Sequence, residues 1–202
     1  MDELVDVVDE SGMPTGEVVW KSRAHREGLW HRCFHCWVVD PEGPHLLIQR
    51  RAFVKDTWPG YLDVTAAGHL GAGEKPLDGL REIEEELGLR VGPERLVALG
   101  TRRIEQEIPV GRDREFHDVF LLIDSTPPSD LRLQTEEVDA VLCIRLQDVP
   151  KLYEKESITA DEWRTGEYRR TRVSLSDFVP NEDGYLLWVV AKARELLGGE
   201  PS

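Results

Sequence analysis

Glutamates at helical spacing dominate the chemistry that this sequence suggests. Glu82, Glu85 and Glu86 occupy positions i, i+3 and i+4 of a helix predicted over 77–87, so their carboxylates share one face. Carboxylates this close repel one another, and a hard divalent cation such as Mg²⁺ or Mn²⁺ would remove that repulsion. The spacing therefore indicates either a divalent-cation site or a solvated acidic helix face.

A glycine-rich segment precedes this helix. Gly68, Gly71 and Gly73 allow backbone groups to approach a ligand closely. Pro76 suits the first turn of a helix, and Gly88 suits the position just after its end. The sequence thus predicts a loop that leads directly into the glutamate-bearing helix.

The run from residue 68 to residue 89 resembles the Nudix box, the signature of hydrolases that act on nucleoside diphosphates linked to another group. The positions that match by residue type are Gly68, Glu74, Arg81, Glu82, Ile83, Glu85, Glu86, Gly88 and Leu89. Only six residues separate Glu74 from Arg81, whereas the family pattern has seven. The departure bears on the structural Glu74–Arg81 pair and leaves the glutamate triad untouched.

The resemblance implies a role for each matching residue. The residues that would bind Mg²⁺, or Mn²⁺ in its place, are Glu82, Glu85, Glu86 and, through its backbone carbonyl, Ala67. The residues that would shape the box are Gly68, Glu74, Arg81 and Gly88. The metal would neutralise a diphosphate and orient a water molecule for attack at phosphorus.

The general base and the phosphate contacts have several candidates. Glu85 or Glu86 would accept the proton of the water, or the base would come from a later loop, as in some relatives. The later-loop candidates are Glu136 and Glu137, which otherwise belong to an exposed acidic loop. The cations that could contact phosphate are Arg50, Arg51 and Lys55, which are otherwise ordinary surface charges.

A wider resemblance, from about residue 5 to residue 149, is closest to the isopentenyl-diphosphate isomerase-like branch. It is carried by residues 9–16, 24–25, 29–31, 46–51, 55, 58–60 and 68–69. A true isomerase uses a catalytic cysteine just before Gly-His or Ser-His, where this chain has Ala67. We therefore expect hydrolase chemistry on an isomerase scaffold.

Two histidines also match positions that bind metal in the isomerases, namely His25 and His69. The accompanying acidic pair falls on Arg114 and Phe116, and the intervening Glu115 would face the other side of a strand. Without carboxylates, we expect these histidines to be hydrogen-bonded structural groups.

Cysteine usage favours a reducing compartment over a disulfide scaffold. There are three cysteines, Cys33, Cys36 and Cys143. Cys33 and Cys36 have the spacing of a zinc motif, but on a predicted strand they point to opposite faces. We expect core cysteines and no zinc site.

Composition sets the remaining limits. The 202 residues are 40% hydrophobic, which suffices for one domain with a real core, and the net charge is −14. So acidic a chain is a poor partner for nucleic-acid polymers and anionic membranes. The first residues carry neither a basic cap nor an apolar stretch, so we expect no secretory signal and a cytoplasmic protein.

The predicted fold is α+β, with the mixed β-sheet of the Nudix fold between helices in an α/β/α sandwich. We expect a single Nudix domain over 1–202, with an N-terminal hairpin extension (1–28), a lid or insertion (157–180) and a C-terminal helix (184–198). Family members are often dimers, so a homodimer is an option. The rivals to a hydrolase of small diphosphates are an isomerase without the thiol and a non-catalytic diphosphate-binding module.

Overall fold

The computed structural model describes residues 2–180 and 184–198. The strands in this part of the chain are β1 (Leu4–Val8), β2 (Pro14–Trp20), β3 (His31–Asp40), β4 (His45–Arg51), β5 (Leu62–Asp63), β6 (Ala66–His69), β7 (Leu96–Ile108), β8 (Gly111–Ile123), β9 (Val138–Arg145), β10 (Ile158–Arg164) and β11 (Glu167–Val173). The α-helices are α1 (Lys21–Glu27), α2 (Arg81–Leu87), α3 (Val149–Tyr153) and α4 (Tyr185–Leu196). Short 3₁₀ turns lie at Pro76–Leu80, Pro93–Arg95, Pro128–Asp130 and Leu175–Asp177.

One mixed sheet organises most of these strands. Its order is β11–β10–β9–β4–β3–β8–β7, with β5 beside β4 and β6 beside β3. Neighbours are antiparallel except β3 and β8, which run parallel. The strands β1 and β2 form a separate hairpin in the segment for which we expected an N-terminal extension.

Helices cover both faces of the sheet because β3 is apolar on both sides. Phe34 packs with Ile83 and Leu87 of α2 in one buried cluster. Trp37 packs with Val189 of α4 in the other. The sheet therefore lies between helices, and the predicted α+β sandwich is confirmed.

The segment 157–180, for which we expected a lid or insertion, contains the hairpin β10–β11. This hairpin extends the main sheet through pairing of β10 with β9. Of the predicted C-terminal helix, the structure shows Tyr185–Leu196. Among the described residues, no helix combines the length and apolarity needed to cross a membrane.

Candidate active site and metal centres

The segment 77–87, predicted as one helix, is divided into a 3₁₀ turn and an α-helix. The 3₁₀ turn Pro76–Leu80 leads directly into α2. Gly88 ends the helix at φ 68°, in the left-handed region that glycine tolerates, and its N–H donates to the Glu84 carbonyl at 2.8 Å. The end of α2 is therefore fixed by backbone geometry.

Glu74 and Arg81 join the loop to the helix despite the shortened box. Arg81 Nε donates to Glu74 Oε1 at 3.0 Å, and its Nη2 donates to the His69 carbonyl at 3.0 Å. The Gly71 N–H donates to Glu74 Oε2 at 2.6 Å. One missing residue is thus absorbed without separating the pair.

The three box glutamates differ in exposure. Glu82 and Glu86 are buried, whereas the Glu85 side chain is half exposed. Glu86 Oε2 accepts hydrogen bonds from the Ala67 N–H at 3.0 Å and from Gln49 Nε2 at 3.3 Å. The structure therefore shows the Ala67 amide in contact with Glu86, and the metal-binding role of its carbonyl stays a prediction.

Gly68 explains how Glu82 reaches the strand. A Cβ at this position would lie 2.1 Å from both Cδ and Oε1 of Glu82, which is closer than any real contact. Glycine is needed here for close approach, because the Glu82 carboxylate occupies the space of a side chain on β6.

Burial makes these carboxylates reluctant to ionise. Burial and the nearby Glu82 raise the pKa of Glu86 to about 8. Burial raises the pKa of Glu82 to about 7, against the opposing effect of the Arg81 guanidinium. A bound cation would restore the charged forms, so Glu82, Glu85 and Glu86 form a donor set that fits a hard divalent metal.

Two of the other candidates lie close to Glu86. Lys55 pairs with Glu137, and these two charges act on the pKa of Glu86 in opposite directions. Glu136 is exposed on the same loop. The structure therefore brings Lys55 and Glu137 to the edge of the glutamate site.

Arg50 and Arg51 are already engaged by the protein. Arg50 donates to the Gly60 carbonyl at 3.1 Å and pairs with the buried Glu162 at 3.4 Å. Arg51 pairs with Asp63 at 2.9 Å and donates to the Thr57 carbonyl. Of the three predicted phosphate-binding cations, Lys55 is the one whose charge acts on Glu86.

A second cluster contradicts the premise that no carboxylates accompany the histidines. Among the described residues, His25, His31, His69 and Glu115 each offer one ligand atom, and these atoms lie within 4.8 Å of one another. Glu115 Oε1 is 3.1 Å from His69 Nε2 and 3.3 Å from His31 Nε2. The expectation that carboxylates are missing from this site is wrong.

Strand register is the reason. The parallel pairing of β8 with β3 sets Glu115 opposite His31. Asp113 lies two residues before Glu115 and so shares its face, with Oδ1 3.7 Å from His25 Nε2. The carboxylates beside the histidines are therefore Asp113 and Glu115, and the expected positions Arg114 and Phe116 are wrong by one residue, which on a strand means the opposite face.

The donors of this histidine–carboxylate cluster fit a metal. Asp113 Oδ1 is buried without a hydrogen-bond partner, and His31 Nε2 is buried with the Glu115 carboxylate 3.3 Å away. Burial and the neighbouring His69 and His31 lower the pKa of His25 to about 4, and burial also lowers the pKa of His69. Burial also lowers the pKa of His31, but the nearby Glu115 carboxylate outweighs this effect and raises it. The neutral imidazoles of His25 and His69, together with carboxylate oxygens, suit divalent transition metals. His31, Asp113 and Glu115 are the residues that sequence reasoning missed.

The cysteines lie outside both donor sets. Cys36 packs beside α2, whereas Cys33 is paired with His69 across β3 and β6. Both are buried and free, as is Cys143. The predicted opposite orientation of Cys33 and Cys36 agrees with their places in β3.

Comparison with known proteins decides the family. The NUDIX domain model matches residues 29–164. The chain belongs to the Nudix hydrolase family. An uncharacterised Nudix hydrolase of Clostridium acetobutylicum is 34% identical over 197 residues, covering 91% of this chain and 93% of that protein.

Two further relatives show that this Nudix protein is similar both to a Nudix hydrolase and to an isomerase. Nudix hydrolase 3 of Arabidopsis thaliana is 34% identical over 160 residues, which are 77% of this chain but 21% of that protein. An isopentenyl-diphosphate Delta-isomerase of Kocuria rhizophila is 32% identical over 137 residues, covering 67% and 75% of the two chains. The likeness to the isomerases expected from the sequence is thus confirmed.

Solved structures support the fold. The crystal structure of DR0079 from Deinococcus radiodurans superposes with a TM-score of 0.57 at 19% identity, covering 76% of this chain and 91% of that one. At this identity the likeness concerns the fold, which is the Nudix fold.

Proposed function

We propose that this Nudix protein is a Mg²⁺-dependent hydrolase, with Mn²⁺ as a substitute, that cleaves a phosphoanhydride bond. The proposed substrates are nucleoside di- or triphosphates and nucleoside diphosphate derivatives. The observation that carries the proposal is the pair of buried carboxylates, Glu82 and Glu86, whose pKa values are raised beside the more exposed Glu85. Such a set is stabilised by a divalent cation.

Each residue of the site has a proposed role. Glu82, Glu85 and Glu86 would hold the cation, which supplies charge neutralisation at the diphosphate and a more acidic water. Arg81 keeps the helix against the loop through Glu74 and the His69 carbonyl. Lys55 is the proposed phosphate contact, since it lies beside Glu86 and would exchange Glu137 for the substrate.

A hydrolysis screen with matched variants tests this function. Nucleotides, sugar nucleotides, dinucleotides and prenyl diphosphates are incubated with Mg²⁺, and phosphate or nucleotide release is measured. We expect Glu85→Gln to lower kcat roughly 100-fold or more with the fold intact. Glu84→Gln is the matched control, because Glu84 is exposed on the same helix and pairs with Arg90.

The outcomes separate hydrolysis from binding alone. Unchanged turnover in Glu85→Gln, or an equal loss in Glu84→Gln, would refute the assignment. Ligand-dependent thermal stabilisation without turnover of any diphosphate would instead identify a non-catalytic binding module.

The second candidate function is isomerisation, which the histidine–carboxylate cluster and the isomerase relatives favour. Ala67 supplies no thiol at the position of the isomerase cysteine, so we expect no allylic product from isopentenyl diphosphate. Product analysis by mass spectrometry and NMR distinguishes the allylic isomer from released phosphate. Ala67→Cys is the informative variant, since a gain of isomerisation would show that only the thiol is missing.

A further inference from the structure

Two side chains that are not members of either donor set, His117 and Arg102, connect to Glu115 through hydrogen bonds. His117 Nε2 lies 2.6 Å from Glu115 Oε2, and Arg102 Nη1 lies 3.2 Å from His117 Nδ1. A guanidinium only donates hydrogen bonds, so His117 accepts on Nδ1 and carries its proton on Nε2. Arg102, His117 and Glu115 therefore form a directed chain in which each member donates to the next.

This chain gives the two oxygens of Glu115 different surroundings. Oε2 accepts from His117. Oε1 faces the cluster, 3.1 Å from His69 Nε2 and 3.3 Å from His31 Nε2. The carboxylate is thereby oriented with one oxygen reserved for the histidines and whatever they bind.

Tyr185 of helix α4 supports Arg102, the first member of this hydrogen-bonded series. The Arg102 guanidinium lies over the Tyr185 ring at 3.6 Å from Cζ to the centroid. Tyr185 Oη in turn accepts from Trp37 Nε1 at 2.9 Å. The ring that supports Arg102 is itself buried and hydrogen-bonded, so the guanidinium has a defined position.

We propose that Arg102 and His117 are positioning residues that orient Glu115 as a fixed ligand for a divalent cation in the histidine–carboxylate cluster. The proposal rests on that cluster being a cation site and is independent of which diphosphate is hydrolysed. Partners that hydrogen-bond a metal ligand commonly contribute 10- to 100-fold, by order of magnitude, to metal affinity. Because His117 holds Oε2, the other oxygen of Glu115 keeps one orientation towards the histidines.

The charge of Arg102 and its hydrogen bond to His117 predict opposite effects on metal binding. Arg102 is a cation close to a proposed cation site, so by Coulomb's law alone its removal strengthens metal binding. Orientation through His117 predicts the opposite, namely weaker binding when the guanidinium is lost. The sign of the change therefore separates positioning from bulk charge.

The test is a Co²⁺ titration of the full chain after removal of metals with a chelator. Imidazole-ligated Co²⁺ absorbs visible light more strongly than Co²⁺ held only by carboxylates and water, so the absorption reports the histidine cluster. We expect His117→Phe to weaken binding about 10- to 100-fold, and His117→Gln, which keeps a donor, to restore most of it. Arg102→Met is expected to weaken binding about threefold to tenfold.

Arg103→Met is the matched control, because Arg103 is the next residue on β7 and lies over the Trp30 ring instead. The proposal is overturned if His117→Phe binds Co²⁺ like the parent, if Arg102→Met binds more tightly, or if Arg103→Met causes the same loss. Thermal melting checks the fold, and His117→Gln with Arg102→Met carries the test if His117→Phe does not fold.

The same titration separates this proposal from the hydrolase function. A parent protein that binds Co²⁺ with the expected variant pattern supports the positioning role even if it hydrolyses no diphosphate. A parent protein with no Co²⁺ absorption contradicts the positioning role even if Mg²⁺-dependent hydrolysis is fast.

Discussion

Glu86 on α2 and Glu115 on β8 are both buried carboxylates, yet their pKa values move in opposite directions. Burial and Glu82 raise the pKa of Glu86 to about 8. Burial acts on Glu115 too, but the neighbouring His117, His31 and His69 bring its pKa well below the ordinary range. The comparison teaches that local donors, more than depth, decide whether a buried carboxylate is charged.

The first way to break this comparison is to disable one site and observe the other. We expect Glu86→Gln to lower Mg²⁺-dependent hydrolysis roughly 100-fold, because it removes a proposed metal ligand. The Co²⁺ absorption of the histidine–carboxylate cluster should be unchanged in this variant. Loss of that absorption would mean that the two sites act as one.

The second prediction concerns stability against pH in chelated protein. Unfolded Glu86 loses its proton near pH 4.5, whereas the folded state keeps it until about pH 8. The folded state therefore binds more protons across this window, so stability is full below it and falls as pH rises through it. We expect a loss on the order of 2–3 kcal/mol between pH 5 and pH 8 in urea unfolding with a chelator.

Glu86→Gln should reduce that slope and leave the contribution of Glu82, whose pKa burial raises to about 7, while Glu84→Gln should retain the whole slope. Excess Mg²⁺ should also flatten the slope in the parent protein, since the cation stabilises the ionised carboxylates. A slope in Glu86→Gln as steep as in the parent protein would show that Glu86 does not contribute to the linkage.

A smaller effect is expected from Gly68→Ala. The new methyl group would meet the Glu82 carboxylate at 2.1 Å, so this carboxylate must move away from β6. We expect the Mg²⁺ concentration for half-maximal activity to rise about tenfold, with Co²⁺ absorption unaffected. Unchanged Mg²⁺ dependence would show that the position of Glu82 is not critical.

The smallest effect sharpens the contrast between buried and exposed charge. Arg90 pairs with Glu84 at the end of α2, and both side chains are well exposed. We expect Arg90→Ala to change the free energy of unfolding by less than about 0.5 kcal/mol, as measured by urea titration. A larger loss would mean that this surface pair has a packing role.

The arrangement of the three box glutamates was predictable because its information is local, whereas their role as metal ligands stays a prediction. A helix places Glu82 and Glu86 on one face through spacing alone, and Gly88 marks the helix end within the same short run. Burial was less predictable. The sequence does not reveal that Gly68 allows Glu82 to lie against β6, because that contact depends on how the loop and sheet meet.

The histidine–carboxylate cluster was not predictable in the same way. Glu115 reaches His31 only through the register of two parallel strands, and no local pattern encodes an inter-strand register. One signal was available, however. Asp113, Glu115 and His117 alternate along a strand that is otherwise largely apolar in its second half, which predicts a shared polar face.

The parallel pairing of β3 with β8 also has a kinetic consequence. His31 and Glu115 are about 80 residues apart in sequence, so they meet only after a long segment of chain has closed. Contacts between residues so far apart in sequence slow folding. A cation bound between these strands would stabilise the protein only after the strands have paired. In this protein a cation bound at the cluster would stabilise the pairing of β3 with β8. We therefore expect the yield of folded protein to depend on the cations present during folding.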